Sequence, residues 1–279
     1  ADAVVSNGVT TYPNVAAPMA AIHTLFNFIT TVFVLPFVNP FARLVACIIP
    51  ADAGEKPHLS ALSASSHIAP VIACDQALME VDFMKASNLE LLDCVRQVLS
   101  GTAGADVEKH IVHREDILDN VQKEVTEFLG SIMSKRLAFD VSERARRLLR
   151  LTDELESVSD ECATILKVVK RFRRQKQQIS EKSLKVILNV HDRVSAYAAE
   201  VTPLIRSPRG VIPLEKLQAE SKALHEHVRE CRKIQLGRIG PEDPGSSIRV
   251  LGELDIINAY ERIRAYYLNC AETLAGGKR

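Results

Sequence analysis

Residues 15–37, VAAPMAAIHTLFNFITTVFVLPF, constrain this chain more than any other stretch, because no Asp, Glu, Lys or Arg occurs between Asp2 and Arg43. About twenty consecutive, mostly apolar residues is the length at which an α-helix crosses the hydrocarbon core of a bilayer. A core helix of a soluble protein is usually shorter and keeps a charged face toward water. The segment is not uniformly apolar. His23, Asn27, Thr30 and Thr31 recur at steps of three and four, which places them on one helical face. Polar side chains in lipid are costly and turn toward other helices or a water-filled path. The stripe therefore predicts one member of a larger intramembrane bundle, with His23, Asn27, Thr30 and Thr31 lining a transport path or packing against neighbouring helices.

Three other readings compete. A secretory signal peptide fits poorly, since no basic region precedes the segment and the apolar run is too long. A buried helix of a soluble protein and a single-span anchor both accommodate the length, but a lone anchor has no need of a polar stripe. Pro36 and Pro40 mark where the span ends or kinks, because each removes a backbone donor and crowds the preceding turn. Phe41 to Ile49 then reads as a short interfacial helix with Arg43 at the water boundary. A base after the span and none before it favours a cytoplasmic carboxyl-terminal side. Ala1 to Asn14, with Gly8 and Pro13, reads as turn and loop following an earlier element, and the missing initiator Met reads as a processed product or part of a longer gene.

Beyond the span the composition narrows the function classes. Lys and Arg number 35 against 35 Asp and Glu, so no net field draws nucleic acid. Six cysteines, Cys47, Cys74, Cys94, Cys162, Cys231 and Cys270, lack CxxC spacing and read as reduced, mostly buried thiols of a reducing compartment. Residues 51–68 hold Gly54, Pro57 and four serines, a linker.

From there helix signals dominate and strand alternation is absent. The pattern predicts helices over about 69–99, 106–136, 140–174, 180–202, 213–235 and 247–274. Asp106 is expected as the N-cap of the second, and Asp140-Val-Ser-Glu143 as a capping box opening the third. Leu148, Leu151, Leu155, Val158, Cys162, Ile165 and Val169 form a heptad seam on the third helix; Ile256, Tyr260, Ile263, Tyr267, Cys270 and Leu274 form one on the sixth. In the fourth, Leu184, Ile187, His191, Val194, Ala198 and Val201 are expected to face inward. The fold class is all-α: one transmembrane helix within residues 1–50, then, after the linker, a duplicated three-helix bundle over 69–279.

The third helix carries Asp153, Glu156 and Asp160 three and four apart, so their carboxylates share one face beside the seam. Glu115 and Asp119, four apart on the second helix, offer two more, with His113 nearby. Clustered carboxylates repel one another unless a cation neutralises them, and oxygen ligands on facing helices are how bundles build metal sites. Glu156, Asp160, Glu115 and Asp119 are the candidate metal ligands. The plainer reading is a solvated acidic face balanced by Arg146, Arg147, Arg150 and Lys167. Lys167, Lys170, Arg171, Arg173, Arg174 and Lys176 give that helix a basic end, explained by the helix dipole or by a membrane or partner contact. The pairs His110/His113 and His225/His227 lack a completing ligand set and read as exposed helix residues. No Gly-rich phosphate loop, HExxH motif or nucleophile elbow occurs, so nothing in the sequence supports an enzyme.

Asn14 to Asn27 with its Ala-Ala-Ile-His23-Thr-Leu-Phe26-Asn27 core, followed by Leu35-Pro36-Phe37, resembles the closing membrane helix of bacterial sodium/phosphate cotransporter family proteins. Pro57-His58-Leu59 and Pro70 to Met84 resemble the segments that follow it, and His113 to Glu124 resembles the start of a PhoU-like helical domain. Asp153-Glu-Leu-Glu156-Ser-Val-Ser-Asp160 is similar to that domain's Glu-x-x-x-Asp metal motif, with Ser157 and Ser159 where the family has Arg and Gly. In the sixth helix Ala265 stands where a second such motif, starting at Glu261, would carry its Asp. The family's Gln-Ser-Ser transport motifs do not occur in these residues. The resemblance implies a bacterial inner-membrane protein taking up phosphate with sodium as coupling ion. Its PhoU-like domain would be a cytoplasmic regulatory module, with a divalent or ferric metal and a second copy of the chain as expected partners. The alternatives are a membrane-anchored PhoU-type phosphate-signalling regulator without transport activity and, last, a metal-dependent hydrolase.

Overall fold

The structure, a computed structural model, describes residues 4–6, 9–11, 16–37, 69–134, 136–207, 212–238 and 244–276. They fall into two units, Ala1–Lys56 and Pro57–Arg279. The first opens with a hairpin rather than the expected loop: β1 (Val4–Ser6) pairs antiparallel with β2 (Val9–Thr11), Val4 opposite Thr11. Its cause is in the sequence, since Asn7-Gly8 between β-branched runs is a strong two-residue hairpin signal.

Helix α1 covers Ala16–Val34 and tightens into a 3-10 turn over Leu35–Phe37, so Pro36 ends the helix as expected. Met19 to Phe37 is 19 residues, long and apolar enough to cross a membrane. At 1.5 Å per residue that is about 28 Å, close to the ~30 Å hydrocarbon core. Every side chain in this stretch is exposed, Phe26 to 66% and Phe33 to 70%. The expected interfacial helix 41–49, with Arg43, Cys47 and Pro40, and the linker 51–68 with Pro57-His58-Leu59 lie outside the described residues.

The described residues of the second unit form six helices: α2 (Pro70–Ser100), α3 (Ala105–Met133), α4 (Phe139–Arg174), α5 (Glu181–Val201, continued by a 3-10 turn over Thr202–Arg206), α6 (Leu214–Leu236) and α7 (Pro244–Ala275). Helices α2, α3 and α4 all touch one another, as do α5, α6 and α7; α4 against α7 and α2 against α5 join the two groups. The seams decide this arrangement. All seven seam residues of α4 and all six of α7 are buried, while Leu184 alone of the inward set on α5 is half-buried. Truncating a fully buried member such as Leu155 to Ala costs about 2–5 kcal/mol, by lost transfer energy plus the cavity left behind.

Helix ends follow backbone geometry more than the expected caps. Gly104 precedes α3 and Ala138 precedes α4, neither with a side-chain cap, so Asp106 and Asp140 sit inside the first turns rather than capping them. There they still face the positive end of the dipole. Ser180, where the sequence places the start of the fourth helix, caps α5, its Oγ accepting from Ser183 N at 3.1 Å. Gly101 (φ 73°) ends α2, with Thr102 N donating to the Gln97 carbonyl at 3.0 Å. Lys176 (φ 53°) fills the same left-handed position after α4, where Gln177 N donates to Phe172 O at 2.9 Å. Cys74, Cys94, Cys162, Cys231 and Cys270 are free and buried, as expected.

Candidate functional site

The short connection from α3 to α4 makes these helices antiparallel neighbours, and buried Leu118, Leu155 and Val158 fix which faces meet. Glu115 and Asp119 flank Leu118, and Asp153, Glu156 and Asp160 flank Leu155 and Val158, so the carboxylates come out beside the seam. The four candidate ligands share one electrostatic field. Burial pushes the Glu156 carboxyl up to about 7, the charges of Asp160 and Asp119 push the same way, and Ser157 Oγ, 3.4 Å from Glu156 Oε2, opposes them. Asp160 is raised by burial, opposed by Lys167 and raised further by Asp119 and Glu161. Glu115 is raised by burial, opposed by Lys167 and raised again by Asp160, Asp116 and Asp119. Two of the acids already have neutral or cationic partners: Lys123 Nζ donates to Asp119 at 2.6 Å and Gln122 to Asp153 at 2.9 Å.

Such a group takes up a proton near neutrality or a cation. Yet among the described residues no three His, Cys, Asp or Glu side chains gather closely enough to hold a metal ion. The donor chemistry fits an oxygen-seeking cation; the side-chain placement is not that of a formed coordination shell. Of the four bases expected to balance this face, Lys167 acts on it, whereas Arg146 pairs with Glu143 on its own helix at 3.0 Å.

The corresponding acid of α7 is differently satisfied. Burial raises Glu261, but hydrogen bonds from Arg264 (2.7 Å) and His225 (2.6 Å) outweigh it and leave the carboxyl below its ordinary value. A guanidinium and an imidazole there do the neutralising that a cation would do. Two other histidines of these pairs also bridge helices: His110 meets Glu90 at 2.9 Å, and His227 meets Asn189 at 2.8 Å. In the basic end of α4, Lys170 and Arg173 reach Glu108 on α3, and Arg171 reaches Asp255 on α7 at 2.9 Å.

Two buried polar groups take partners that the sequence does not indicate. His191, inward as expected, places Nδ1 2.9 Å from the Tyr260 hydroxyl and Nε2 3.2 Å from Ser195 Oγ. Burial lowers it to about 4, so it is neutral at pH 7. Glu253, 1% exposed, accepts from Ser180 N and from Ser183 Oγ at 2.7 Å, and Arg238 closes the network on Ser183 Oγ.

On α1 the stripe satisfies itself along the helix. Asn27 Nδ2 lies 3.1 Å from His23 Nε2, Thr31 Oγ1 donates to the Asn27 carbonyl at 2.8 Å, and Thr24 does the same to Ala20. Local hydrogen bonds of this kind lower the cost of placing polar groups in lipid. Comparison with protein-family models and with curated proteins finds no match.

Proposed function

We propose that this chain is the carboxyl-terminal part of a sodium-dependent phosphate transporter, in which α1 is one helix of the membrane bundle and α2–α7 form a PhoU-like regulatory domain. The observation that carries the reading is the uncharged 19-residue span Met19–Phe37, with every side chain exposed and His23, Asn27 and Thr31 tied into i, i+4 hydrogen bonds. Exposed apolar surface on this scale calls for lipid or companion helices. The grouping of α2–α4 and α5–α7 into two mutually packed sets supports the duplicated bundle, and the sequence resemblance supplies phosphate and sodium. In this reading the domain binds and regulates rather than catalyses, and faces the cytoplasm of a bacterial cell.

Glu156, Asp160, Glu115 and Asp119 are the residues that would hold a divalent or ferric ion, whose charge would relieve their mutual repulsion. Metal capture requires Asp119 to leave Lys123. Uptake of radiolabelled phosphate by cells producing the complete protein tests the function. Uptake that requires sodium supports it. Absent or sodium-independent uptake removes it and leaves the anchored signalling regulator.

A further inference from the structure

A cleft of about 570 Å³ lies between the carboxyl-terminal half of α4 and α7, and it shares Lys167 with the carboxylate face. Its walls carry Lys167, Arg171, Arg174 and Arg262 against Asp255, with Glu161 behind Arg262, so the cleft keeps a positive excess although the chain as a whole is neutral. All four cations are exposed. Arg171 gives one Nη to Asp255 at 2.9 Å, and Arg262 is fixed by two donations to Glu161, the longer 2.7 Å. Each guanidinium has five N–H donors, so both keep free ones while being held in place. Lys167 and Arg174 make no ion pair among the described residues within salt-bridge distance.

Beside the cleft, a Cβ at Gly252 would stand 2.5 Å from Phe172 Cζ and 3.2 Å from Arg171 Nη2, so a larger residue there would displace these side chains where α7 meets α4. The negative end of the α4 dipole, worth about half a charge, is small beside this group. Its last carbonyls are also occupied by the backbone N–H groups of Gln175, Lys176 and Gln177.

We propose that this cleft binds a phosphorylated small molecule carrying two or more linked phosphoryl groups. Guanidinium forks match phosphate oxygens in pairs, and lysine adds a point charge. Lys167 and Arg174 are seven residues apart, about 10 Å along the helix, farther than one phosphate reaches and within the span of a diphosphate or nucleotide. A concave cleft of this volume favours a soluble molecule over the flat phosphate surface of a membrane. The proposal stands on the cleft and does not depend on the transport reading.

Calorimetric titration of the full chain in non-ionic detergent, in metal-free buffer, tests it with pyrophosphate, ATP and inorganic phosphate as probes; phosphatidylglycerol vesicles are a separate arm. Pyrophosphate or ATP is expected to bind saturably, and tighter than inorganic phosphate. Arg174→Gln, at an exposed position that leaves the packing intact, is expected to weaken binding at least about fivefold, as loss of one exposed charge contact would. Lys167→Gln should weaken binding likewise; because Lys167 also offsets the charges of Glu115 and Asp160, its melting temperature should drop, whereas that of Arg174→Gln should not change. No saturable binding of either probe overturns the proposal. So do a smaller fall in both variants, equal affinity for inorganic phosphate, or binding to the vesicles alone.

Discussion

Replacing Glu156 by Gln should make the helical unit more stable, by an amount that grows with pH. In the folded chain burial and the neighbouring Asp160 and Asp119 raise this carboxyl from its ordinary 4.5 to about 7. The ionised form is thus the one the fold disfavours. Below about 4.5 the group is protonated whether folded or unfolded, and no penalty exists. Between there and about 7 the unfolded chain ionises while the folded one resists, so stability falls as pH rises, and above 7 the penalty is complete.

At about 1.4 kcal/mol per unit, the shift would be worth roughly 3 kcal/mol. Glu156 is only half-buried, and solvent screening cuts that to about 1–2 kcal/mol. Gln keeps the size and has no charge to place. Melting of the full chain in non-ionic detergent with chelator, followed by circular dichroism, should therefore show Glu156→Gln about 3–6 °C above the parent at pH 8. At pH 4.5 the two should coincide. An offset independent of pH, or a variant less stable at pH 8, would refute the idea that the acids of α3 and α4 repel one another.

The same cluster predicts that millimolar Mn²⁺ or Fe³⁺ raises the melting temperature of the parent and leaves the Glu156→Ala plus Asp160→Ala variant unmoved, since a ligand at 100 times its Kd stabilises by about 2.7 kcal/mol. Equal shifts in both would remove the metal assignment. Lys176→Gly should stabilise the end of α4 by about 1 kcal/mol in urea titrations, because φ 53° strains any residue with a Cβ. On the proposed transport function, His23→Leu should slow phosphate uptake by the complete protein; uptake at the parental rate would assign His23 to helix packing alone.

What could be read from the residues was what repeats. The seams of α4 and α7 step by three and four over many turns, and every predicted member is buried. The three-and-four spacing of Glu156 and Asp160, and of Glu115 and Asp119, marked carboxylate faces in the sequence, and in the structure Asp119 and Asp160 act on Glu156 and Glu115. Caps were located by residue type but misplaced, because Asp106 and Asp140 serve the dipole equally well one or two positions inside the helix. The Asn7-Gly8 hairpin was present as a signal and outweighed by the loop-like composition around it. Pairings such as His191 with Tyr260 or Arg262 with Glu161 join distant parts of the chain, and no local period records them. The basic cleft was visible only as a run of charges, since its far wall belongs to α7.

The central claim is that α1 resides in a bilayer. Alkaline carbonate extraction of membranes from cells producing this chain tests it most directly. The account predicts that the chain stays in the membrane pellet and is released only by detergent. Recovery of a monodisperse chain in aqueous buffer, without detergent and with α1 intact, would contradict it.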